Sequence, residues 1–291
     1  MSVLIGTTTK VICQGITGHA ATFHMAKAIA YGTRIVGGVR PGKGGTRHLD
    51  VPVFDRVDEA MAATGADASI VFVPAEHAAE AMIEAIEAEI GLLVCVTERV
   101  PVLDMVRVKD ALGASKTRLI GPNSQGILTP GQCKIGVMAT VHERPGRIGL
   151  ISRSASLTSE IVAQLSGAGL GQSTTIGIGG DPVHGMGFAE GMELMFADPD
   201  TDCVVLIGEI GGTEEEQAAL HLKTAARRKP VVALVAGRHA PRTRRMGHAG
   251  TLPSLGSGSA EDKIDALRSA GALIAESAAT VADTVKRALK S

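Results

Sequence analysis

Short runs of aliphatic and β-branched residues alternate along the chain with Ala-rich segments whose apolar positions recur every three or four residues. "KVICQ", "RIVGGV", "ASIVFVP", "GLLVCVT" and "RLIG" are brief, almost wholly apolar and bounded by turn residues, so they read as buried strands. Between several of them, "TFHMAKAIAYG", "AEHAAEAMIEAIEAEI" and "VLDMVRVKDALG" carry helical spacing. This alternation predicts an α/β fold, with parallel sheets covered by helices on both faces. The rhythm weakens over residues 121–146, "GPNSQGILTPGQCKIGVMATVHERPG", which is rich in Gly and Pro. It resumes with "RIGLIS", "TTIGIG", "DCVVLIGEIGG", "KPVVALVAG" and "GALIAES". Two domains are expected, residues 1–130 and 131–291, with the boundary falling between Thr129 and Gly146. No repeat with a period of 20–50 residues is visible.

Composition narrows what such a fold does. Glycine is frequent, 36 of 291 residues, and it sits in clusters between the apolar runs, as turn chemistry. Aromatic residues make up 2% of the chain, with no Trp and one Tyr, which removes the stacking platforms of a single-strand nucleic-acid binder. The net charge of −1 gives no field to attract nucleic acid or an anionic membrane. Four separated cysteines without a CxxC spacing fit buried thiols in a reducing compartment. No secretory leader pattern opens the chain and no apolar run approaches about 18 residues, so a cytoplasmic protein without a membrane span is expected. No metal-ligand spacing stands out.

Two stretches carry candidate chemistry. "KVICQGITGHAATFHMAKAIA" reads as strand, glycine turn and helix, with the spacing Gly15-x-x-Gly18-x-x-Ala21. Such a turn aims backbone N–H groups at a phosphate or diphosphate. A nicotinamide-binding sheet wants an acid at the end of its second strand, but here Arg40 and Lys43 of "RPGKGG" stand there. Cations in that place suit a ligand with phosphate on or near its ribose, NADP or coenzyme A; a solvated basic loop is the plain alternative. The second stretch, "GRHAPRTRRMGHAG", puts His248 between glycines and beside Arg238, Arg242, Arg244 and Arg245. Without interleaved aromatics those arginines suit a subunit contact or a phosphate screen better than a nucleic-acid patch.

The ordered set "VICQGITG", "PGKGGT", "VFVP", "ISRS", "GIGGDP", "IGEIGG" and "RRMGHAG" resembles the α subunit of succinyl-CoA synthetase and its malate–CoA ligase-type relatives, from about Leu4 to the C-terminal helix. The resemblance implies a Rossmann-like CoA-binding domain followed by a flavodoxin-like doubly wound domain that carries a phosphohistidine. It implies a partner β subunit, in an αβ or α2β2 assembly, whose ATP-grasp domain binds ATP or GTP with Mg2+. Carried over position by position, CoA contacts fall on Thr17, Gly18, His19, Ala20, Lys43, Val96, Thr97 and Glu98. His248 is then the phosphorylated histidine and Glu209 its hydrogen-bond partner. The acid and phosphate end falls on Asn123, Ser124, Gln125, Ser154, Ala155, Ser156 and Ser159.

The residues support that chemistry independently. Neutral imidazole accepts a phosphoryl group, and a carboxylate on the other ring nitrogen fixes its tautomer. Ser154–Ala155–Ser156 enter a helix whose first N–H groups suit an anion. The chain also departs from the family pattern. "TGHAATF" stands for "TGSQGTF", "GPNSQG" for "GPNCPG", "SRSASLTSE" for "SRSGTLTYE", and "GGDPVHG", with His184, for "GGDPIPG". A phenol becomes Ser159 and Cys-Pro becomes Ser124-Gln125, which suggests succinate or a more polar or bulkier acid such as malate, a sulfonated short acid or citrate. The same changes leave open a non-catalytic CoA-binding regulatory subunit. An NADP-dependent oxidoreductase is the third reading, but no acid–base set for hydride chemistry accompanies Lys43.

Overall fold

The computed structural model describes residues 3–241, 246–251 and 258–290. The chain divides into two compact units, Leu4–Met138 with Val183–Met186, and Met1–Val3 with Ala139–Pro182 and Gly187–Ser291.

The first unit runs β1 (Lys10–Gln14), α1 (His19–Tyr31), β2 (Arg34–Val39), β3 (Arg47–His48), β4 (Val51–Phe54), α2 (Val57–Thr64), β5 (Ala68–Val71), α3 (Ala75–Glu87), β6 (Leu92–Cys95), α4 (Val102–Gly113) and β7 (Arg118–Ile120). Its sheet order is β3-β4-β2-β1-β5-β6-β7, parallel throughout except between β3 and β4. Leaving out the two-residue β3, the remaining strands lie in the order 3-2-1-4-5-6 of a Rossmann-like sheet. Strands and helices meet in one core: Ile12, Val71 and Leu93 pack with Ala78, Ala79, Met82, Ala85 and Ile86. The α3 residues in that list recur at helical spacing, so one stripe of the helix is buried, each large side chain contributing about 1.5–3 kcal/mol.

The Gly- and Pro-rich stretch that follows is an antiparallel hairpin of β8 (Gly126–Thr129) and β9 (Cys133–Gly136). Its glycines have a steric reason. A Cβ on Gly126 would stand 2.0 Å from the Ile135 carbonyl oxygen, and one on Gly136 would stand 2.2 Å from that of Gln125. Val183–Met186 return to this unit through hydrogen bonds from Gly185 N–H to Gly121 O, 2.9 Å, and from Met186 N–H to Leu119 O, 2.6 Å.

The second unit runs β10 (Pro145–Ser152), α5 (Ala155–Gly167), β11 (Gln172–Gly177), α6 (Phe188–Ala197), β12 (Cys203–Glu209), α7 (Glu214–Thr224), β13 (Val231–Ala236), α8 (Ala260–Ser269), β14 (Leu273–Ile274) and α9 (Val281–Ala288). Its parallel strands lie in the order β11-β10-β12-β13-β14, the 2-1-3-4-5 winding of flavodoxin-like sheets. Leu150, Val205, Ile207 and Val232 form the strand side of its core, and Ile161, Leu165, Val281 and Val285 the helix side. All four cysteines are buried and unpaired by disulfides, and burial pushes the thiols of Cys13, Cys133 and Cys203 up, Cys133 to about 11 and Cys203 to about 12. Among the described residues no helix is long and apolar enough to cross a membrane.

Candidate active site

In an open parallel sheet, ligands bind beyond the carboxyl ends of the strands where the winding reverses. In the first unit that point lies between β1 and β5, and the glycine turn of β1 opens onto it. Gly15 has φ +81°, and a Cβ there would stand 2.8 Å from the Phe72 carbonyl oxygen, so the turn lies against the end of β5. Gly18 caps α1 with no side-chain bond, which leaves the first N–H groups of the helix facing out of the turn. Thr17 is half-buried, and His19 and Ala20 are exposed on the first turn of α1.

Arg40 and Lys43 are both exposed in the loop after β2. That loop is held by an acid at the end of β4: Asp55 accepts from Lys43 N–H, 3.1 Å, and Gly44 N–H, 2.9 Å. The backbone is therefore fixed while the Lys43 side chain stays available to a ligand. Val96 and Thr97 follow β6, with Glu98 exposed beyond them. Thr97 donates its hydroxyl to Val73 O, 2.8 Å, and its own carbonyl accepts from Asn123 N–H, 2.8 Å. The structure thus brings the "VTE" and "GPNSQG" stretches together on the same carboxyl edge. Ser124 and Gln125 are buried, and the Ser124 hydroxyl accepts from Gly126 N–H, 2.8 Å. His184 is buried, with Nδ1 3.0 Å from Met186 O.

In the second unit the reversal lies between β10 and β12. Glu209 is the last residue of β12, and Ser154 is the N-cap of α5, two residues after β10 ends. The Ser154 hydroxyl accepts from Leu157 N–H, 3.4 Å, and Ala155 and Ser156 are exposed on the first turn. Ser159 is also exposed, its hydroxyl 3.3 Å from Ala155 O in its own helix.

His248 lies over this edge. Both carboxylate oxygens of Glu209 approach Nδ1, at 2.9 and 2.8 Å. The ring lies flat on Gly180, where a Cβ would stand 2.4–2.6 Å from ring atoms. Thr251 closes a turn behind it, with its hydroxyl donating to His248 O, 2.8 Å, and accepting from Met246 N–H, 3.2 Å. Nε2 has no hydrogen-bond partner among the described residues. The Glu209 hydrogen bond raises the His248 pKa above the ordinary 6.5, with Asp181 adding to it, while burial and the Arg153 charge pull the other way. Arg238 forms an ion pair with Glu276; Arg242, Arg244 and Arg245 lie outside the described residues.

The sequence of this chain matches two family models, a CoA binding domain over residues 7–99 and a CoA-ligase over residues 151–273. It is 47% identical over 292 residues to the succinate–CoA ligase [ADP-forming] subunit alpha of Aquifex aeolicus (strain VF5), covering 100% of this chain and 95% of the relative. It is 48% identical over 290 residues to the protein of the same name from Staphylococcus aureus (strain N315), covering 100% and 96%. The chain belongs to the succinate–CoA ligase alpha-subunit family. As a member it is a CoA ligase subunit with a CoA-binding domain ahead of the ligase domain.

The fold also matches ATP citrate lyase from Methanothrix soehngenii in complex with citrate and coenzyme A, with a TM-score of 0.90 at 24% identity. That match covers 99% of this chain and 50% of the other, so this succinate–CoA ligase-type alpha subunit spans half the length of the lyase polypeptide. The matched CoA-binding region holds the Gly15–Gly18 turn, Lys43 and Val96–Glu98; the matched ligase region holds Glu209 and His248. Gly180, Arg153, Glu215 and Lys263 also stand at this edge, none of them among the residues expected from the sequence. The last three form buried ion pairs at the same edge, and the acidic run after "IGEIGG" was the signal for Glu215.

Proposed function

We infer that the chain is the catalytic alpha subunit of a heteromeric, nucleotide-dependent acid–CoA ligase that works through a phosphohistidine at His248. The observation that carries this reading is the division of labour on one ring. Glu209 occupies Nδ1 with both oxygens, and Nε2 has no hydrogen-bond partner among the described residues. The Nε2 lone pair forms the N–P bond as the bond between the terminal phosphorus and the nucleoside diphosphate breaks. A substrate carboxylate oxygen then takes the phosphoryl group, and the electron pair returns to Nε2. The CoA thiolate attacks the acyl phosphate carbon and inorganic phosphate leaves. The α5 N-terminus at Ser154–Ser156 offers N–H groups to the phosphoryl oxygens, and Asn123–Gln125 lie with the acid. CoA lies on the turn from Thr17 to Ala20, with Lys43 on phosphate and Val96–Glu98 beside it.

The relatives are named as subunits, and a partner carrying an ATP-grasp domain supplies ATP or GTP with Mg2+ in this reading. The paired Glu209 and His248 speak against a purely regulatory CoA-binding subunit. The test is uptake of phosphate from labelled Mg-ATP or Mg-GTP by the assembled complex. The wild type takes up one acid-labile, base-stable phosphate per alpha chain, and His248→Asn takes up none while keeping its fold. Label persisting in His248→Asn would remove the phosphohistidine.

A further inference from the structure

Behind His248 the charges continue inward. Arg153, in the link between β10 and α5, has a side chain only 2% exposed. Its Nη2 is 3.5 Å from Oε1 of Glu209, and its Nη1 is 3.7 Å from Oε1 of Glu215. Glu215 also accepts the backbone N–H of Glu209, 2.9 Å, and its other oxygen pairs with Lys263, whose side chain is wholly buried. Lys263 donates to Gly211 O as well, 2.8 Å. His248, Glu209, Arg153, Glu215 and Lys263 thus form a row of alternating charge from the loop into the unit. The Arg153 fork is only partly used: Nε and Nη1 are buried without a hydrogen-bond partner. A guanidinium kept there at such a desolvation cost suggests a role beyond packing.

A carboxylate alone on Nδ1 has a drawback for a phosphoryl acceptor. It favours imidazolium, which has no lone pair on Nε2. A second cation on the same carboxylate divides its charge and lowers that preference. We propose that Arg153 is a positioning residue for phosphoryl transfer: its guanidinium holds the Glu209 carboxylate in place for Nδ1 and takes part of its charge, so that His248 presents an unprotonated Nε2. This rests on the phosphohistidine reading of His248. Among the described residues, the charged groups acting on the ring are Glu209 at the end of β12, Arg153 after β10 and Asp181 in the loop after β11.

The test is the pH dependence of the initial rate of base-stable labelling in the assembled complex, from about pH 6 to 9, a range set by an imidazole that titrates near neutrality. Arg153→Gln removes the charge. Its acid limb moves up by about one pH unit, so the rate on the limb falls roughly tenfold while the alkaline plateau is largely kept. Arg153→Lys keeps the charge and holds the limb near its wild-type position. Glu209→Gln moves the limb down, because the ring loses its anion. An Arg153→Gln limb that stays put or moves down, or a rate lost equally at every pH, overturns the proposal. If the glutamine variant does not fold, Arg153→Met, which also removes the charge, takes its place: a limb moved up supports the proposal, and one that stays put or moves down overturns it. His248→Asn separates the two levels. Persistent label there removes the phosphohistidine itself; label absent there, with an unmoved Arg153→Gln limb, removes only the role of Arg153.

Discussion

Gly180 shows how much depends on a single missing carbon. The imidazole of His248 occupies the space a Cβ would take, so Gly180→Ala must push the ring away from Glu209. Labelling of the complex by Mg-nucleotide is expected to fall at least about tenfold, because misplacing a reacting group by an ångström has effects of that order or more. The melting temperature should barely change, since the alanine meets a half-buried loop side chain and not the core. A variant that labels at the wild-type rate would show that the ring has another resting place. Lys43 supports a second prediction. Its loop is fixed through its backbone by Asp55, so Lys43→Ala removes a charge without disturbing the turn. Loss of one charge-assisted hydrogen bond to phosphate costs about 1.5–3 kcal/mol, roughly a 10- to 150-fold rise in the KM for CoA with that for the acid unchanged. Unchanged CoA affinity on titration would make Lys43 an ordinary surface charge. His248 and Glu209 were readable as a pair because their flanking motifs are distinctive. Gly180 was not, because nothing in "GIGGDP" says which glycine lies under a ring that comes from a loop almost seventy residues later.

Among the elements, α8 carries more than its length suggests. Its N-cap is Ser259, whose hydroxyl accepts from Asp262 N–H, 3.1 Å, and in its first turn it sends Lys263 inward to Glu215 on α7. Breaking a buried ion pair by removing one partner costs about 3–5 kcal/mol, so Lys263→Met should lower stability to denaturant by that order. Chemical denaturation of the variant measures it, and a midpoint equal to the wild type would mean the pair contributes nothing net. The strands of both sheets were legible because they are buried on both faces and read as unbroken apolar runs. The β8–β9 hairpin was not, since its pairing depends on glycines at positions of close backbone approach, and in sequence these look like a linker. The short β3–β4 pair in "RHLDVPVF" went unseen as well: two residues cannot establish a period.

At the scale of the molecule, each unit sets its candidate chemistry at the point where its own sheet reverses direction, between β1 and β5 in one and between β10 and β12 in the other. Strand order gives that position; in the sequence the first was marked by the glycine turn of "KVICQGITG" and the cations after the second strand, and the second chiefly by the resemblance. Gln125 is buried and its amide is both donor and acceptor, and the hydroxyls of Ser124 and Ser159 hydrogen-bond to Gly126 N–H and Ala155 O. A maximum of kcat/KM away from succinate is expected when succinate, malate, citrate and sulfoacetate are compared in the complex. Ser159→Tyr with Ser124→Cys and Gln125→Pro should move it back. A clear maximum at succinate in the wild type would refute this. The way the histidine loop meets its unit has a further consequence. A Cβ on Gly211 would stand 2.0 Å from the carbonyl oxygen of Gly250, and Gly211 N–H donates to Gly258 O, 2.8 Å, so the flanks of the loop meet bare main chain. At these two contacts the seating rests on main chain, whereas His248 and Thr251 hold the loop through their side chains. Gly180 and Gly211 beneath it have no room for a Cβ, so mutational scanning should show intolerance at both of these bare positions as well as at His248 itself.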